Sequence, residues 1–105
     1  MIRPELIARA AELLREAARP SRVILFGSYG RGDADEASDV DILVVLPNVR
    51  DRVAEMVRLG RVLSPLRIPA DLLVVSEETF RDWADTPGSI YFEASREGKI
   101  LYEAA

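Results

Sequence analysis

The chain contains no cysteine and no histidine. The first absence excludes a disulfide framework, a thiolate nucleophile and a thiolate zinc site; the second excludes an imidazole base or metal ligand. Acid–base or metal chemistry must therefore rest on carboxylates. Lysine is nearly absent as well, since all 14 basic residues except Lys99 are arginine, a bias that reads as genomic composition. A net charge of −4 and a pI of 4.8 argue against a passive nucleic-acid binder, because duplex affinity rests on a basic surface. No direct nucleic-acid binding is expected. No apolar run approaches the roughly 18 residues of a membrane span, and the N-terminus carries Arg3 and Glu5 where a signal peptide would be apolar. A cytoplasmic protein without membrane attachment is the expectation.

What is present fits a single domain over residues 1–105, large enough for one core but without room for a second substrate-binding lobe. Pro4 to Ala17 places Leu6, Ile7, Ala10, Leu13, Leu14 and Ala17 on one helical stripe, with charges opposite. Val23 to Phe26 is a short apolar run suited to a buried strand. Arg50 to Ser64 returns to helical spacing through Val53, Met56, Val57, Gly60 and Leu63, with Gly60 expected to pack closely on the sheet. Ala70 to Val75 is a third strand, followed by Ser76 as helix cap and a helix expected to bury Phe80 and Trp83. A last helix, Ser89 to Glu97, is expected to end at Gly98 as a left-handed cap before a short strand from Lys99 to Tyr102.

The chain centres on Val23 to Leu46, VILFGSYGRGDADEASDVDILVVL. Gly27 ends the first strand where the chain must turn, and Ser28 stands at that strand end. Asp39 and Asp41 are two residues apart in the next apolar run, so their side chains leave one face. Like charges this close cost free energy unless a cation neutralises them, and Mg²⁺ with oxygen ligands is one reading. The other is that Asp39 caps a turn and Asp41 is solvated at a strand edge. Asp71 repeats the pattern, a charge opening an apolar strand, either at the mouth of the sheet or against a cation.

Gly27-Ser28, the glycines at 30 and 32, Ser38-Asp39-x-Asp41 and a later strand bearing Asp71 resemble the nucleotidyltransferase superfamily that includes DNA polymerase β. The small size, the GSYGRG turn and the ending EGKILYE are similar to the minimal nucleotidyltransferases, usually paired with a helical HEPN protein. Gly30 stands where many relatives have alanine. The resemblance implies an α/β (α+β) fold, a small mixed β-sheet of about four strands backed by helices, with Asp39, Asp41 and Asp71 clustered at one edge. It implies that these three hold two Mg²⁺ ions, or Mn²⁺, and that Asp71 helps deprotonate the acceptor. Gly27 and Ser28 would receive the triphosphate of ATP, and Arg31 is a candidate phosphate contact, or else a solvated loop residue. Asp33, Asp35 and Glu36 read as loop surface.

For function, the resemblance implies an antitoxin that transfers AMP from ATP to a tyrosine of a HEPN ribonuclease toxin in a hetero-oligomer. Two alternatives stand beside it: a noncatalytic antitoxin that neutralises by binding, and a nucleotidyltransferase acting on an aminoglycoside-like small molecule, which needs a dimer to build its pocket. Trp83, Ile90, Tyr91 and Phe92 surround a Pro-Gly break and offer either a partner surface or closure of the core.

Overall fold

The computed structural model describes residues 1–104. Helix α1 (Pro4–Ala18) begins at a proline, which costs nothing in a first turn whose amides have no helical partner. Its buried residues Ile7, Ala10, Ala11 and Leu14 recur at helical spacing, and it stops where Arg19 turns left-handed (φ 47°). Strand β1 (Arg22–Phe26) leads directly into the single-turn helix α2 (Gly27–Arg31), and an ordered loop then delivers β2 (Val40–Leu46). Helix α3 (Arg52–Leu63) starts two residues later than its spacing predicts, because the Asp51 side chain accepts a hydrogen bond from Ala54 N and so caps it. A 3₁₀ turn at Ser64–Leu66 leads to β3 (Ala70–Ser76), α4 (Glu77–Trp83), α5 (Ile90–Glu97) and β4 (Lys99–Glu103). Ser76 and Ser89 cap α4 and α5 by accepting from Thr79 N and Phe92 N.

The four strands form one mixed sheet in the order β3-β2-β1-β4. The β2–β3 pair is parallel, with α3 as the crossover; β1 runs antiparallel to both β2 and β4. This is the α/β architecture the sequence predicts. Alternation along the strands splits the core between two faces. Val23, Leu25, Val40, Ile42, Val44 and Val74 pack beneath α1 and α3, whereas Ile24, Phe26, Leu43, Val45 and Val75 meet Phe80 of α4 and Ala94 of α5. Helices thus cover both sides of the sheet.

Four local expectations need correction. Trp83 is not buried: Phe80 alone carries the α4 anchor, with Tyr91 edge-on to it at 6.4 Å, and Trp83 remains 51% exposed at the helix end. In α3 the face toward α1 and β3 is centred on Leu59 and Leu63, which leaves Val53 and Val57 64% and 51% exposed. Gly60 consequently faces open space and packs on nothing. Gly98 is extended (φ −75°), not left-handed. Its glycine requirement is steric, because a Cβ there would meet Ala94 O, Ile24 Cγ2 and Leu25 O.

Candidate active site

The fold gathers the motif residues at the end of the sheet where β1 stops and β2 and β3 begin. In the antiparallel ladder Phe26 pairs with Asp41, so Gly27 lies beside the Asp41 side chain. In the parallel ladder Asp41 pairs directly with Asp71, and registered partners in neighbouring strands present their side chains on the same face. Asp41 therefore sits between the Gly-Ser turn on one side and Asp71 on the other. Asp39 lies just before the first residue of β2, exposed and outside the ladder, which begins with Val40 N donating to Pro69 O at 2.8 Å.

The turn is built for this neighbour. Gly27 has φ +67°, a left-handed conformation that side chains disfavour, and a Cβ at this position would collide with Asp41 Oδ2. Both constraints demand glycine. Gly30, buried, brings α2 so close to β1 that a Cβ would lie 2.6 Å from Leu25 O and 3.4 Å from Gly98 Cα. Glycine at this position thus lets α2 seat against the end of β1 and the α5–β4 corner. Ser28 is half-buried, its carbonyl accepts from Gly32 N and Asp33 N, and its hydroxyl has no hydrogen-bond partner among the described residues. Before Asp39 the loop is ordered by Asp35, whose Oδ1 accepts from Ala37 N and from the Ser38 hydroxyl, while Ser38 Oγ accepts from Asp35 N. Asp33, Asp35 and Glu36 are exposed, as expected of loop surface, and Asp35 has this additional ordering role.

Negative charge is concentrated here. Partial burial raises the Asp41 pKa above its ordinary value; the carboxylates of Asp71, Asp39 and Glu93 push it further in that order, and only Arg31 opposes them. The cross-strand Asp71 acts on Asp41 more strongly than the sequence neighbour Asp39. Arg31 does not stand free for a phosphate: Nη1 donates to Glu93 Oε1 at 2.8 Å and Nε to Asp33 Oδ2 at 3.3 Å. Glu93, supplied by α5, belongs to no motif in the sequence. Its only local signal is a carboxylate in the first turn of a short amphipathic helix, which ordinarily means a dipole partner. Among the described residues no three carboxylates stand at metal-holding spacing as they are.

A family model described as the nucleotidyltransferase domain matches residues 7–102. The chain belongs to this nucleotidyltransferase family. The nucleotidyltransferase is 36% identical over 87 residues to the Methanocaldococcus jannaschii protein named "Putative protein adenylyltransferase MJ0604", covering 80% of each chain. A solved toxin-antitoxin complex with AMP-PNP contains a chain that superposes with a TM-score of 0.65 at 25% identity, over 92% of the nucleotidyltransferase and 73% of that chain. A complex of tri-AMPylated Shewanella oneidensis HEPN toxin with MNT antitoxin gives 0.60 at 23% identity, over 95% and 71% respectively, a likeness of fold. No helix of the described residues is long and apolar enough to cross a membrane.

Proposed function

We propose that this nucleotidyltransferase transfers AMP from ATP to a tyrosine hydroxyl of a HEPN-type toxin and acts as its antitoxin. The observation that carries the reading is Asp41, held in register with Asp71 and beside the Gly27-Ser28 turn. Like-charged oxygen ligands meet a glycine-lined approach at one sheet end, which is the provision needed to bring a metal-bound triphosphate to an acceptor. The names of relatives point the same way: one is named "Putative protein adenylyltransferase MJ0604", and one solved complex pairs an MNT antitoxin with a tri-AMPylated HEPN toxin.

The donor set fits Mg²⁺ or Mn²⁺. All three candidate ligands, Asp39, Asp41 and Asp71, are carboxylates, as hard divalent ions prefer, and Mg²⁺ is ordinarily held by one or two carboxylates together with substrate phosphates, without an all-protein cage. When bound, such ions offset the charge of the phosphates and acidify the acceptor hydroxyl. Gly27 gives the triphosphate room, and Ser28 offers its hydroxyl and backbone N–H to phosphate oxygens. The acceptor oxygen attacks the α-phosphorus, a new P–O bond forms, the bond to the β-phosphate breaks, and pyrophosphate leaves. Asp71, exposed in the first residues of β3, would take the hydroxyl proton.

Titration calorimetry with ATP tests this. Binding is expected with Mg²⁺ or Mn²⁺ and is expected to disappear in EDTA or in Asp39→Asn. Equal affinity in the presence and absence of the metal refutes a metal-dependent site.

A further inference from the structure

Among the described residues, Arg31 is the only cation acting on the Asp41 carboxylate, and its guanidinium is already engaged. Nη1 is 2.8 Å from Glu93 Oε1, Nε is 3.3 Å from Asp33 Oδ2, and Glu97 Oε2 lies at 4.0 Å. The bridge joins α2 to α5 and places the α5 carboxylate in the electrostatic neighbourhood of the motif. No other base on that helix is ready to replace Arg31 for Glu93, because Arg96 lies over the Phe92 ring at 5.2 Å.

We propose that Glu93 is a positioning residue that holds Arg31 back from the nucleotide, so that a triphosphate arriving at Gly27 and Ser28 must exchange with the Glu93 carboxylate for the same guanidinium. The inference rests on the nucleotidyl-transfer reading given above. A guanidinium fork matches carboxylate and phosphate equally well, so the two acids are true competitors. The exchange is feasible because the bridge is accessible on both sides, with Arg31 39% and Glu93 38% exposed, and exposed pairs of this kind are weak. Glu93 then opposes the nucleotide by holding, together with Asp33, the one cation that acts on the site.

Calorimetric titration of Mg-ATP into the full chain tests the inference through a double-mutant cycle. Glu93→Gln, which keeps the side chain's size, is expected to tighten binding about threefold to fivefold, the scale of a weak exposed ion pair. The gain is expected to vanish when the same substitution is made in an Arg31→Ala background, and Glu97→Gln, at the longer distance, is expected to produce a smaller change. A gain in affinity is not an outcome that damage to the fold produces. Unchanged or weaker binding by Glu93→Gln overturns the inference, and so does an equal gain in both backgrounds, which would mean that Glu93 acts by its field alone. Absence of Mg-ATP binding by the unaltered protein overturns the nucleotidyl-transfer reading and this inference with it.

Discussion

Replacing Asp41 by Asn should abolish transfer and at the same time stabilise the metal-free protein. Adjacent parallel strands lie about 4.8 Å apart, and a separation of about 6 Å is assumed for the carboxylates of the registered pair Asp41 and Asp71. Two unit charges at that separation repel by about 0.7 kcal/mol in bulk water and by about 3 kcal/mol at an effective dielectric constant of 20. Partial exposure of Asp41 and salt screening place the relief nearer the lower figure, about 1 kcal/mol, equivalent to a rise in Tm of about 4 °C or more for a domain of this size. The pH dependence has a definite sign. Because the folded-state pKa of Asp41 is raised, the folded chain holds this proton more tightly than the unfolded chain does, so stability falls as pH increases through the window above the ordinary aspartate value. Asp41→Asn should therefore match the wild type at pH values below that window and exceed it at neutral pH. Thermal melts of both proteins in EDTA across this pH range measure the difference. Millimolar Mg²⁺ should raise the Tm of the wild type and leave the variant nearly unchanged. A lower Tm for the variant in EDTA at neutral pH would refute the reasoning, because it would make Asp41 a structural residue.

The glycines separate backbone strain from packing. Gly27→Ala should destabilise by about 2 kcal/mol and eliminate nucleotide binding, since it combines a left-handed φ with a collision against Asp41, whereas Gly60→Ala, in open helical surface, should stabilise by about 1 kcal/mol; urea melts report both. Trp83→Ala should change stability by no more than about 1 kcal/mol because half of the ring is already exposed. Calorimetry of the same variant against the proposed toxin partner should show a complex weakened at least several-fold, and intact affinity would exclude Trp83 from a partner surface.

The site was legible where its chemistry is local. Gly27, Ser28 and the Asp39-x-Asp41 spacing are written in consecutive residues, and the apolar strands on either side state where the chain must run. The pairing that matters most electrostatically, Asp41 with Asp71, is not local: it depends on the register of a parallel ladder formed across the α3 crossover, which periodicity does not specify. Glu93 was invisible for the same reason, since its bond to Arg31 joins α5 to α2 across 62 positions of the sequence. The errors in α3 and α4 have another cause. A hydrophobic stripe marks a face that can be buried, and the neighbouring elements decide how much of it is, so Val53, Val57 and Trp83 remain at the surface. Gly98 shows how one residue type answers two different demands, with close approach taking the place of the left-handed turn that its position suggested.

The most direct test of catalysis as the basis of function is mass spectrometry of the proposed HEPN-type partner after incubation with ATP, Mg²⁺ and either the wild-type protein or Asp71→Asn, with that protein's ribonuclease activity assayed in the same samples. The wild type is expected to add one or more AMP groups to a tyrosine and to silence the ribonuclease. Asp71→Asn should still bind Mg-ATP and form the complex, yet leave the partner unmodified and, once separated, active. A partner that is silenced by wild type and released in fully active, unmodified form, with no difference between wild type and Asp71→Asn, would contradict the account and establish neutralisation by binding.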